Sequence, residues 1–214
     1  MIENAVNIFA KSCIVFSVVA GNIAFIAPVF AQEAPDILIK RVSKEVMAAA
    51  RSDSAIQAGD RKRIYALVES KIIPHLDLER ATSLVAGHHW RTATPLQRQQ
   101  LTEEFSNLLL YTYAGAMSQI KDQKLEFKPL RISPSDTDVE VDSQVRLPRS
   151  PEPIQVSYRL TKSADGWKIY DVNVLGVWLS EAYRGSFSSE INKGGFDGLI
   201  NALSEKNKQL AARS

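Results

Sequence analysis

Cysteine is nearly absent: Cys13 is the only one in 214 residues. It lies in a hydrophobic run, Cys13 to Ala27, that follows Lys11 and leads to Val29-Phe30-Ala31. That is the layout of a secretory signal, with small or tolerated residues at the cleavage point. Gly21-Asn22 interrupts the run, so it falls short of the roughly 20 unbroken apolar residues of a membrane span. Residues 1–31 are therefore expected to be removed, leaving 183 residues (214 less 31) with no thiol. Without one, disulfides, thiolate metal sites and a cysteine nucleophile are excluded. The lost segment carries only Glu3 and Lys11, so the net charge stays at +2.

Histidine is scarce too. His88 and His89 are adjacent, which matches no helical ligand spacing, and His75 has only Asp77 beside it. No metal site is expected. There is no Gly-x-Ser-x-Gly elbow, and Gly194-Gly195 lacks both the third glycine and the preceding strand of a dinucleotide loop. The densest basic cluster, Arg61-Lys62-Arg63, is too short to argue for nucleic acid. Tyr170-Asp171 could act as an acid and base in a cone-shaped pocket, as in small isomerases, but strand alternation sets the two on opposite faces. No catalytic residue is assigned, and a small cone-fold enzyme is kept only as an alternative.

What is present is an ordinary globular balance, 45% hydrophobic and 23% charged. Leu38, Val42 and Val46 recur at steps of four behind Pro35, predicting an amphipathic helix to about Arg51. A loop over 52–59 precedes a second helix, Asp60 to Lys71, which stops before Pro74. A short third helix opens near Asp77 and ends at Gly87. Thr94-Pro95-Leu96-Gln97 is a capping box with proline at the first helical position. The helix it opens is expected to run past Ile120, roughly 40 Å.

Four strands follow. Leu125 to Ile132 contains Pro129 and reads as an edge strand or a bulge. Thr137 to Leu147 alternates Val139, Val141 and Val145 with Asp138, Glu140, Asp142 and Arg146. Val156, Tyr158 and Leu160 alternate with polar residues, Asp165-Gly166 turns the chain, and Trp167 to about Val174 returns it. After Gly176 the period becomes helical, with Leu179, Tyr183, Phe187 and Ile191 at steps of four. Gly194-Gly195 breaks that helix, a last one carries Phe196, Leu199 and Leu203, and the stretch 206–214 reads as a polar tail.

These elements make an α+β domain, residues 32–205, whose four-stranded antiparallel twisted sheet packs against several helices. Its inner faces bring together Phe105, Leu109, Tyr113, Val156, Tyr158, Tyr170, Val172, Val174, Tyr183 and Phe187. Such a wall encloses either a sealed core or an apolar pocket, and tyrosines suit a wall with one wet end. The acidic row Asp136, Asp138, Glu140 and Asp142 reads as a solvated sheet face, or as a docking surface by charge complementarity.

One further pattern is more specific. Gly87, Trp90, Thr94-Pro95, Phe105, Leu108-Leu109 and Thr112-Tyr113-Ala114 precede Gly166-Trp167-Lys168-Ile169-Tyr170-Asp171-Val172, Gly176, Tyr183-Arg184 and Phe187. Together these residues resemble the MlaC, or toluene-tolerance, family across nearly the whole exported chain. The resemblance implies a periplasmic carrier that shuttles phospholipid between inner and outer membranes and maintains outer-membrane lipid asymmetry. It implies acyl chains in a deep apolar pocket with the headgroup near the mouth, and phospholipid as cargo rather than cofactor. Its implied partners are an inner-membrane ABC transporter with an MCE-domain ring and an outer-membrane lipoprotein complex. Some relatives are associated with hopanoids, which keeps another lipid as the alternative cargo. Trp178 departs from the family's usual small or polar residue; it would join the pocket wall and narrow it, or suit a different lipid.

Overall fold

Pro35 starts the first helix because its missing N–H falls where no intrahelical bond is made. The computed structural model describes residues 32–148 and 151–212; the expected signal segment, 1–31, lies outside them. Helix α1 (Pro35–Ser52) buries Leu38, Val42 and Val46 along one face. Where a loop is expected, Asp53 accepts hydrogen bonds from the Ala55 and Ile56 amides and starts a one-turn helix, α2 (Ser54–Gln57). Asp60 caps α3 (Arg61–Lys71) in the same way, and Asp77 caps α4 (Leu78–Ala86).

The capping box at Thr94 is formed from both sides and opens α5 (Pro95–Tyr113). This helix is shorter than the sequence suggests, because the chain tightens into a 3₁₀ segment over Ala114–Gln119. There Ala114 and Met117 turn onto the core beneath α1, and Gln57 donates to the Ile120 carbonyl at 2.9 Å.

The sheet has five strands in the order β1-β2-β3-β4-β5, all antiparallel. Strand β1 (Lys124–Phe127) is cut short ahead of Pro129. Strands β2 (Asp138–Arg146), β3 (Ile154–Ser163) and β4 (Gly166–Val174) form the expected meander. The fifth strand, β5 (Val177–Trp178), is one more than the sequence indicates. It doubles back through Leu175-Gly176, both with positive φ.

Helix α6 (Leu179–Ala212) follows β5 and is interrupted at Gly195, whose φ of 66° and ψ of −167° are not helical. The break stands where Gly194-Gly195 implies it. Beyond it, the stretch read as a polar tail is helical through Ala212, held by buried Asn207, whose side chain donates to Glu104. Among the described residues, no helix is long and apolar enough to cross a membrane.

Two apolar cores result, and they do not merge. One joins α1, α2 and α3 to the sheet through Leu38, Ile64, Val141, Leu160 and Ile169. The other joins α4, α5 and α6 through Val85, Leu101, Phe105, Phe187 and Leu199.

Candidate functional site

Between these cores lie two apolar cavities with common walls. The outer one, about 390 Å³, is lined from α3 and the turn after it (Val68, Ile72, Ile73), from α5 (Leu109, Leu110, Tyr113) and from β4 (Val172, Val174). The inner one, about 100 Å³, is lined by Ala81 and Val85 of α4, Phe105 of α5, Ile169 of β4 and the start of α6. Leu76, Leu78, Leu109, Val172 and Leu179 border both, so they form the neck. The outer cavity opens where Tyr113 is 45% and Val174 41% exposed.

The inner end is stiff. Phe105 meets Tyr183 and Phe187 edge-on, with ring centroids 5.4 and 5.3 Å away. The buried Asp171 carboxylate accepts hydrogen bonds from the Ser180 hydroxyl (2.6 Å) and the Ser180 amide (3.1 Å), tying the first turn of α6 to β4. Arg159 Nη1 stands 3.6 Å from the same carboxylate, and its guanidinium lies over the Trp178 ring. Near the mouth, the Tyr183 hydroxyl donates to that of Tyr113 at 3.4 Å. Burial, then that hydrogen bond, pushes the Tyr183 hydroxyl well above the ordinary tyrosine value. Tyr183 therefore stays protonated at neutral pH, and the apolar lining is suited to holding an apolar molecule.

Of the residues singled out from sequence, Phe105, Leu109, Tyr113, Tyr170, Val172 and Val174 line these cavities. The others have different places. Val156 pairs with Val174 across the β3–β4 ladder. Tyr158 packs against the first core, where burial raises its hydroxyl pKa against the effect of hydrogen bonds to Ser143 and Ser43. Tyr183 and Phe187 form the aromatic cluster behind Phe105. Trp178 is buried against Arg159 and borders a separate polar groove with Glu140 and Ser157.

Tyr170 is the extra residue of a β-bulge: Arg159 faces Asp171 and Leu160 faces Ile169, with nothing opposite Tyr170. Its ring lies 3.8 Å below the Arg80 guanidinium, which pairs with Asp138 at 2.6 Å. Asp171, expected on the solvent side, is buried because β5 and α6 fold over it.

Leu76, Leu78, Ile169 and Leu179 were not singled out as wall residues, although they form much of the neck and inner wall. Leu179 falls on a helix face by its spacing, but nothing in that spacing separates a face on a cavity from a face on a core.

Three residues of the acidic row are ion-paired, Asp138 with Arg80, Glu140 with Arg159 and Asp142 with Lys128, while the Asp136 carboxylate accepts from the Ser133 amide. The His88 and His89 rings stack at 3.9 Å, and His89 meets the Ser188 hydroxyl at 3.1 Å. His75 is held below the usual histidine pKa by burial, with Arg41 and Lys168 adding to the effect. Among the described residues, no group of three His, Cys, Asp or Glu side chains is placed to hold a metal ion.

Known proteins share this architecture. A phospholipid-binding protein from Ralstonia solanacearum, solved in complex with a phospholipid, superposes with a TM-score of 0.77 at 39% identity. The match covers 84% of this chain and 99% of that one. The intermembrane phospholipid transport system binding protein MlaC of Haemophilus influenzae is 21% identical over 181 residues, which is 84% of this chain and 85% of the relative. The family model described as MlaC protein matches residues 40–205. The chain belongs to the MlaC family.

Proposed function

We propose that this protein is a periplasmic phospholipid carrier that shields acyl chains from water between the inner and outer membranes. The observation that carries the reading is the pair of joined apolar cavities between the cores. Exposing two acyl chains of about 15 methylenes each to water costs on the order of 24 kcal/mol, at about 0.8 kcal/mol per methylene. A carrier therefore offers a dry enclosure close to the bilayer in quality, and needs no catalytic group. The outer cavity lies within the volume range of small-molecule sites, about 300–1,000 Å³. The phospholipid bound by the Ralstonia relative and the transport system named for the Haemophilus relative support the same reading.

In this scheme one acyl chain lies against Leu109, Val172 and Leu179, since the two cavities, of 390 and 100 Å³, together hold about 16 methylenes at ~30 Å³ each, with the headgroup beside Tyr113 and Val174. Loading and release take place on an inner-membrane ABC transporter with an MCE-domain ring and on an outer-membrane lipoprotein complex, at the two ends of the transfer.

Native mass spectrometry of gently purified protein tests this. The wild type is expected to carry phospholipid, and Leu109→Asp, which sets a carboxylate in the neck, is expected to carry at least tenfold less while keeping its circular dichroism. An equal lipid load in folded Leu109→Asp protein would remove the cavity as the binding site.

A further inference from the structure

The inner cavity ends against closely packed walls. Val85 and Phe105, 1% and 2% exposed, close it, and the ring contacts of Phe105 with Tyr183 and Phe187 hold that wall in place. The Asp171–Ser180 hydrogen bonds fix the α6 side as well. The opening is constrained differently, because a charged headgroup drawn past the neck would lose its hydration among mostly apolar walls, where the buried Asp171 carboxylate is already satisfied by Ser180. A chain reaching from mouth to floor is therefore held between two stops.

We infer that the inner cavity measures the length of one acyl chain, with Ala81 and Val85 setting its depth. This rests on the carrier reading above and adds selectivity to it. A methylene is about the size of a water molecule in the liquid, ~30 Å³, so the 100 Å³ annex takes only the last few methylenes of a chain. A chain that is too long leaves methylenes in water at the mouth; one that is too short leaves a void against Val85 and Phe105. Each misplaced methylene changes the affinity about fourfold.

The test is competition for lipid extracted from mixed vesicles of phosphatidylethanolamine with 14-, 16- and 18-carbon chains, read by native mass spectrometry. Ala81→Phe fills the annex and is expected to move the preferred chain at least two carbons shorter, with the short-to-long ratio rising about tenfold or more. Val85→Ala deepens the floor and is expected to shift the preference the opposite way, which decides the matter if Ala81→Phe fails to fold. Folded variants that bind lipid with the wild-type length distribution would overturn the inference while leaving the carrier reading intact. A wild type that takes up no lipid of any length would remove both.

Discussion

At Leu175 the backbone has φ of +54°, and the side chain is 66% exposed. Two unfavourable features thus meet at one residue, a left-handed conformation that disfavours a Cβ and a large apolar group in water. Gly176 behind it also has positive φ, so the two make the kind of turn for which Asn-Gly is preferred. Leu175→Asn is expected to stabilise the fold by about 1 kcal/mol, the order of the left-handed penalty for one residue. A chain of this size would show that as a rise in melting temperature of roughly 2–4 °C. An unchanged or lower midpoint in a thermal scan would count against strain at this turn. Residue-level signals of this kind were only partly legible. Asp165-Gly166 announced its hairpin, but Leu175-Gly176 carries an aliphatic side chain where turn chemistry calls for a polar one. The short fifth strand was missed for that reason.

Elements were legible where local chemistry decides them. Asp60, Asp77 and Thr94 each start a helix through a side-chain bond made within a few residues, and Pro35 starts one through its missing N–H. Gly195 interrupts α6 because a residue without a Cβ adopts positive φ cheaply. The end of α5 at Tyr113 was not legible, since Ala114-Gly115-Ala116 does not forbid a helix and the tightening follows from packing on a distant core. The bulge at Tyr170 was hidden for the same reason: strict alternation is the default, and only the partner strand reveals the extra residue. Its neighbour Asp171 joins β4 to α6, and Ser180→Ala removes the hydroxyl that donates to this buried carboxylate. A loss of about 2 kcal/mol is expected, within the range for hydrogen bonds to charged groups. Urea denaturation measures it, and a change below a few tenths would mean that the Ser180 amide and Arg159 suffice to hold the joint.

For the whole molecule, periodicity identified which faces are apolar but not how far apart they stand. A stripe facing a hollow and a stripe facing another stripe have the same spacing, which is why Phe105 and Leu109 were legible as inner residues while their boundary with the annex was not. The α+β class and the antiparallel order follow from helices at both ends and short turns between strands. Two cores that remain separate leave apolar surface that a bound lipid would cover, so occupancy and stability are linked. Stripping lipid with mild detergent, followed by detergent removal, is expected to lower the melting temperature by roughly 5–10 °C. That follows if lipid is held at about 100 times its dissociation constant, worth ~2.7 kcal/mol. Re-addition of phospholipid vesicles should restore it, and identical melting of stripped and loaded samples would contradict the linkage.

The strand order has a consequence for how the chain reaches this state. Every strand's partner is its neighbour in sequence, so the sheet can zip up hairpin by hairpin with short closures. The helices are arranged the other way. Gln97 reaches Asp197, Arg184 reaches the Leu84 carbonyl and Gln32 reaches the carbonyls of Ser163 and Ala164, all across a hundred residues or more. Loop-closure entropy disfavours these long-range fastenings before the hairpins form, so the greasy interior is expected to be walled on the sheet side first and roofed last, an order that hydrogen-exchange pulse labelling during refolding would check.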